Sequence, residues 1–183
     1  MKTVYFDIDT QLDFMVPAGA LYVPGAERII GEVARLNREA VLAGAFVIST
    51  MDAHSEDDPE FECWPHHCVV GSLGQRKVSA TILDGAVRVP NSPQLANWRG
   101  APQLLLEKQS IDCFTNPNLT IILRELNAAK YIVYGVVTEI CVRNAVMGLL
   151  PFGKPIQVVQ SAIRHLDEEK ASAFLSGVTV ITK

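Results

Sequence analysis

The sequence predicts an α/β fold: a doubly wound, six-stranded, mostly parallel sheet with helices on both faces. Three observations predict it. Apolar runs of strand length alternate with segments of helical periodicity at both ends of the chain. The first fifty residues read strand, helix, strand, a βαβ unit that favours a right-handed parallel crossover. The 183 residues are 49% hydrophobic and 20% charged, an ordinary globular balance that excludes wholesale disorder. A chain of this length buries a core without help from disulfides or metals, so one domain spanning 1–183 is expected.

Each element has its own reason. Val4-Tyr5-Phe6-Asp7-Ile8-Asp9 is a buried strand ending in acids, followed by a turn-rich loop to Pro24. Pro24-Gly25-Ala26-Glu27 opens a helix in which Ile29, Ile30, Val33, Leu36, Val41 and Leu42 recur at helical spacing, with Gly44 as its stop. Ala45–Thr50 is the second strand. Residues 51 to about 102 break the alternation and hold three of the four histidines. A loop region of that length inside a compact domain is usually functional, and Val87-Arg88-Val89 reads as at most a short edge strand. The alternation then resumes: strand Gln103–Leu106, helix Asn118–Asn127, strand Lys130–Val137, helix Thr138–Leu150, strand Pro155–Gln160, helix Asp167–Ser176 with Asp167 as N-cap, and strand Val178–Ile181.

Charge narrows the partners. Sixteen Lys+Arg against twenty Asp+Glu give −4, with no run of three basic residues, so no nucleic-acid partner is expected. No apolar run reaches the ~18 residues of a membrane span, so no membrane partner is expected either. The apolar start is ended at once by Asp7 and Asp9, too early for a secretory signal. A cytoplasmic protein follows as the expectation, with Cys63, Cys68, Cys113 and Cys141 as free thiols. Homo-oligomerisation is left open.

In a doubly wound sheet ligands sit at the carboxyl ends of strands. That rule singles out Asp9 at the end of the first strand, Lys108 just past the strand at 103–106, and Cys141 at the start of the helix after 130–137. Together they bring an acid, an amine and a thiol to one edge. Cysteine attacks as thiolate, and a helix N-terminus is expected to lower its pKa. A nearby carboxylate accepts the thiol proton, a lysine steadies both, and first-turn N–H groups near Cys141 provide an oxyanion hole. Taken singly, each has a bland reading: a buried small hydrophobe, a turn-forming Asp, a solvated Lys.

A second constellation is Asp52-Ala53-His54, followed by Trp64-Pro65-His66-His67-Cys68. Asp-x-His in an extended segment puts both side chains on one side. A third ligand from the later loop, His66 or His67, would complete a mixed O/N site suited to Zn²⁺, Fe²⁺ or Mn²⁺, and Glu60 could add a carboxylate. A structural zinc site on Cys63, His67 and Cys68 competes, though without an obvious fourth ligand. A polar loop that binds nothing is the plain alternative.

The ordered set Asp9-x-Gln11-x-Asp13-Phe14, Asp52-x-His54, Trp64-Pro65-x-His67-Cys68, Lys108 and Gly135-Val136-Val137-Thr138-Glu139-Ile140-Cys141-Val142 resembles the isochorismatase-like cysteine hydrolases, and within them the nicotinamidase (pyrazinamidase) subgroup. The likeness runs from residue 1 to about 160. It implies a Rossmann-like three-layer fold and a triad in which Asp9 is the base, Lys108 its partner and Cys141 the nucleophile of a thioester mechanism. It implies a cis peptide between Val136 and Val137, and an oxyanion hole from the Val137 and Cys141 N–H groups. The subgroup further implies a divalent metal on Asp52, His54 and His67, zinc first and iron or manganese next, with Glu60 as an extra ligand and Phe14 and Trp64 around the substrate ring. The expected function is therefore hydrolysis of nicotinamide or a close heteroaromatic amide. The alternatives are another small amide, a ureido compound or isochorismate, and a non-catalytic binding member. Because triad and metal set lie on different segments, they are expected to be separable by mutation.

Overall fold

The computed structural model of the chain describes residues 2–94 and 96–183. Met1, in the first expected segment, and Leu95, in the expected loop region, lie outside the described residues.

Among the described residues, seven strands form one sheet: β1 (Thr3–Ile8), β2 (Phe46–Asp52), β3 (Val87–Val89), β4 (Gln103–Lys108), β5 (Lys130–Gly135), β6 (Ile156–Ile163) and β7 (Thr179–Ile181). Their order is β3-β4-β2-β1-β5-β6-β7, and every pair is parallel. The expectation of six mostly parallel strands is thus corrected by one. Val87–Val89 is a full member, pairing with Leu104–Leu106 at the edge. The reading of Val87-Arg88-Val89 as a short edge strand is borne out; only its brevity, between Gly85 and Pro90, kept it out of the six-strand expectation. The order reverses between β1 and β5, which makes that point the topological switch where ligands are expected.

Among the described residues, five α-helices accompany the sheet: α1 (Leu12–Met15), α2 (Ile30–Leu42), α3 (Leu119–Leu126), α4 (Arg143–Leu149) and α5 (Glu168–Leu175). Helices cover both faces, and strand alternation shows how. Tyr5, Asp7 and Tyr134 share one face, where Asn37 of α2 donates to Asp7 Oδ2 at 2.8 Å and accepts from Tyr134 Oη. Phe6 and Tyr131 share the other, where Tyr131 meets Phe152 just beyond α4 edge-on at 6.2 Å. β1 is buried after its first residue, as a strand covered twice must be. α5 is capped as expected, with Asp167 accepting from Lys170 N at 3.0 Å.

Two expected helices differ. The segment opening at Pro24 runs first as a 3-10 turn, Ala26–Ile29, before α2 begins. The segment 138–150 is not one α-helix: Thr138–Val142 is a π turn and only then does α4 start. Such turns are rare and cluster at functional sites.

The long region between β2 and β4 is anchored against the first loop. Leu12 N–H donates to Arg76 O (2.8 Å), Asp13 N–H to Gly74 O (3.0 Å) and Val78 N–H to Thr10 O (3.0 Å). Gly74 is required there, since a Cβ would lie 2.0 Å from Asp13 Oδ2.

Candidate active site

The sheet register brings the expected residues together. Asp52 and Lys108 are register partners at the carboxyl ends of β2 and β4. Asp9 follows β1, and Cys141 follows β5, the strand on the other side of β1. Lys108 is the last residue of its strand, not just beyond it. Its Nζ lies 3.0 Å from Asp9 Oδ2, donates to Asp52 Oδ1, and sits 3.9 Å from Cys141 Sγ. Asp9, Lys108 and Cys141 are all buried.

Asp9 has a left-handed backbone, φ 50°, a conformation Asp tolerates better than most residues. The Thr50 hydroxyl donates to its Oδ1 at 2.6 Å, and Thr50 Oγ1 accepts from the Asp9 N–H at 3.2 Å. Its Oδ2 accepts no aligned hydrogen bond.

The electrostatics correct one expectation. The Cys141 thiol is not acidified at rest: burial pushes its pKa well above the ordinary value, Asp9 and Asp52 add to this, and only Lys108 opposes it. Burial also raises Asp9, against the pull of Lys108. Burial alone would lower Lys108, but Asp52, Asp9 and Cys141 outweigh it and hold the ammonium well above the usual range. Burial thus sets a thiol of raised proton affinity beside a carboxylate of raised proton affinity and a fixed cation.

Gly135 closes β5 at φ 115°, where a Cβ would lie 2.1 Å from Ile8 O, so only glycine lets the two strand ends meet. The Val136–Val137 peptide is cis, as the resemblance implied. Val136 N–H bonds Ile8 O at 3.0 Å, whereas Val137 N–H has no partner among the described residues.

Asp52, His54 and His67 converge, their ligand atoms within 4.8 Å of one another and all three residues buried. Asp52 Oδ2 lies 3.8 Å from both His54 Nε2 and His67 Nε2, and Glu60 Oε1 lies 4.0 Å from both. The ring orientations fit a cation. His67 Nδ1–H donates to Pro65 O at 2.7 Å, and His54 Nδ1 faces Asp58 Oδ2 at 3.0 Å, which turns both Nε2 atoms toward the shared point. His54 Nε2 has no hydrogen-bond partner there despite full burial. The donor set is that of a divalent metal ion. His66 is excluded from it, being exposed and stacked on Phe61 at 4.2 Å. The competing zinc site does not assemble: Cys63 is exposed, and buried Cys68 points its thiol toward Gly74 O at 3.9 Å.

Three organising residues escaped the sequence reading. Gln11 clasps the Asp52 backbone, donating to its carbonyl (2.8 Å) and accepting from its N–H (2.7 Å). Asp13 accepts from Cys68 N–H at 2.7 Å and so holds the segment bearing His67. Asp58 orients His54. Gln11 and Asp13 stood in the motif without a role; Asp58 carried no signal beyond its Asp-Pro turn.

Above the triad is a cavity lined by Phe14, Leu21, Asp52, Glu60, Trp64, His67, Ile111, Val137, Ile140, Cys141 and Leu166. Apart from Cys141, Asp52, Glu60 and His67, its walls are apolar.

The chain's residues 3–182 match the isochorismatase domain model. It is 26% identical over 180 residues to the uncharacterized isochorismatase family protein PncA of Bacillus subtilis (strain 168), covering 96% of this chain and 93% of the relative. It is 25% identical over 209 residues to the nicotinamidase of Escherichia coli (strain K12), covering 96% and 92%. Its fold is similar to the crystal structure of the pyrazinamidase of Pyrococcus horikoshii in complex with zinc, with TM-score 0.83, 24% identity and full coverage of both chains. The full-length domain match, on a sheet whose strand ends gather Asp9, Lys108 and Cys141, places this chain in the isochorismatase family.

Proposed function

We propose that the protein is a metal-assisted cysteine amidohydrolase acting on nicotinamide or a close heteroaromatic amide. The observation that carries this is the Lys108 ammonium, held between Asp9 and Asp52 and facing the Cys141 thiol at 3.9 Å. Phe14 and Trp64 in the cavity wall, beside the Asp52–His54–His67 cluster, favour an aromatic ring with a donor atom.

In this reading Asp9 Oδ2 takes the thiol proton as Cys141 Sγ attacks the amide carbon. The carbonyl oxygen gains charge and is received by the Val137 and Cys141 N–H groups. Asp9 returns the proton to the departing nitrogen, ammonia leaves, and a thioester remains on Cys141. Asp9 then accepts a proton from water as it attacks that thioester and passes it to the departing Sγ, releasing the acid and regenerating the free thiol and the Asp9 carboxylate. Lys108 stays charged throughout and offsets the negative charge passing between Asp9 and Sγ. A divalent ion, zinc first, held by Asp52, His54 and His67 would supply a Lewis-acidic anchor for a ring nitrogen. Glu60 stands close enough to complete its coordination.

Isochorismate, which carries carboxylates, fits less well, because no Lys or Arg lines the cavity among the described residues: Lys108 is paired below it with Asp9 and Asp52. Ammonia release from nicotinamide, pyrazinamide, an aliphatic amide and a ureido compound, measured after loading with zinc, iron or manganese, tests the proposal. Turnover of the heteroaromatic amides well above that of the aliphatic amide and the ureido compound is expected. Preference for the ureido compound, or silence with all four, would remove it.

A further inference from the structure

The π turn that carries Cys141 is fastened to the loop leaving β6, residues 164–167, by four hydrogen bonds from two adjacent residues. Thr138 donates to the Arg164 carbonyl twice, from its N–H at 2.9 Å and its hydroxyl at 2.8 Å. Glu139 Oε1 accepts from the N–H of Leu166 at 2.9 Å and of Asp167 at 2.7 Å. Glu139 is only 9% exposed, and its Oε2 is buried without a partner. A buried carboxylate spent on two backbone donors of another segment fixes that segment's distance from the turn.

The segment so fixed has a bearing on the cavity. Leu166 lines it together with Val137, Ile140 and Cys141, yet remains 39% exposed. A large apolar side chain at that exposure is not locked in place by core packing, so its backbone must hold it. Leu21 and Ile111 also line the cavity. Neither shares the Glu139 link.

We propose that Glu139 is a positioning residue for substrate selection: by gripping the Leu166 and Asp167 N–H groups it sets Leu166 as the wall against which a ring-bearing amide packs, at a fixed distance from the nucleophile's turn. The inference rests on the amidase reading above. A wall touched equally by ground state and transition state acts on KM and leaves kcat largely alone. A short acyclic amide does not reach Leu166 and is indifferent to it.

The test compares Glu139→Ala, Glu139→Gln and Leu166→Ala with the unaltered protein. Ammonia release is measured with nicotinamide and with propionamide, and hydrogen exchange is followed at the Leu166 and Asp167 amides. Glu139→Ala and Leu166→Ala should raise KM for nicotinamide about tenfold or more, the scale on which an apolar pocket contact discriminates. Values of kcat and all constants for propionamide should stay within about threefold. Exchange should quicken in Glu139→Ala and not in Leu166→Ala. Glu139→Gln should resemble the unaltered protein, because its amide oxygen still accepts both N–H groups. Equal losses with both amides would mean a merely structural role and overturn the proposal. So would unchanged exchange in Glu139→Ala, or a Leu166→Ala variant with normal nicotinamide KM. If the unaltered protein released ammonia from no amide, the amidase reading would fail on its own, while the exchange data would still decide the grip.

Discussion

Asp52 Oδ1 accepts from Lys108 Nζ while Asp52 Oδ2 faces the two histidine Nε2 atoms at 3.8 Å each. One carboxylate therefore serves both the triad's lysine and the metal set. The expectation that these sets are separable is corrected at this residue. Asp52→Asn should lose bound metal and also slow alkylation of Cys141 by iodoacetamide, because Lys108 loses a strong partner. His54→Ala, or chelation, should remove metal and leave the alkylation rate within about threefold, since no histidine touches Lys108. Elemental analysis with alkylation rates checks both; equal thiol effects in the two variants would deny the coupling through Asp52.

Cys141→Ala should abolish turnover with the fold retained. Cys63→Ala, Cys68→Ala and Cys113→Ala should keep more than about a tenth of it, for burial raises the Cys68 and Cys113 thiols with no aligned base beside them. Ammonia release and circular dichroism decide. A dead Cys113→Ala beside an active Cys141→Ala would reverse the assignment.

The pH dependence follows from Asp9. Burial raises its pKa above the ordinary 3.8, against Lys108 and with Asp52 as a like charge nearby. Asp9 must be ionised to receive the thiol proton, so kcat/KM should fall as pH drops through that raised value, on an acid limb displaced upward from a normal carboxylate. Cys141 should show no thiolate absorbance at neutral pH, since its own pKa is raised. Asp9→Asn should lose about 10²–10⁴-fold in rate. An acid limb in the ordinary carboxylate range, or near-normal rates in the variant, would remove Asp9 as base.

Trp64→Ala should weaken nicotinamide by about 0.5–1.5 kcal/mol beyond lost burial and leave an aliphatic amide nearly unchanged, as expected for one face of a ring site. Matched inhibition constants for nicotinate and acetate measure it.

Legibility in the sequence followed distance along the chain. The buried strands showed as continuous apolar runs, and the rule of strand ends then located Asp9, Lys108 and Cys141. Asp52 and Lys108 are opposite each other only because β2 and β4 are neighbours in register, a fact of topology that no local pattern contains. The π turn was invisible because Thr138–Leu150 keeps helical periodicity whether it winds as α or π. The thiol's raised pKa was missed because helix-start reasoning omits burial, the largest cause.

The same limit hid a buried ion pair behind the site. Asp7 and Lys77 are seventy residues apart and lie 2.7 Å from each other, with side chains 0% and 1% exposed. Asp7 also accepts from Thr10, Asn37 and Ser49, and Lys77 donates to Thr10, so the pair is well satisfied. Removing one partner strands the other charge in the core. Lys77→Met should therefore cost roughly 3–5 kcal/mol of stability, whereas Asp7→Leu combined with Lys77→Met should recover much of it. Recovery should be incomplete, because Asn37 and Ser49 would lose an acceptor, at about 1–3 kcal/mol for each group left unsatisfied. Thr10 adjoins Asp9, so the double variant should also be slower than its stability alone would explain. Denaturant unfolding of the single and double variants, with kcat on each, measures this. A double variant no more stable than Lys77→Met would show that the hydrogen bonds around Asp7, rather than its charge, hold this part of the core.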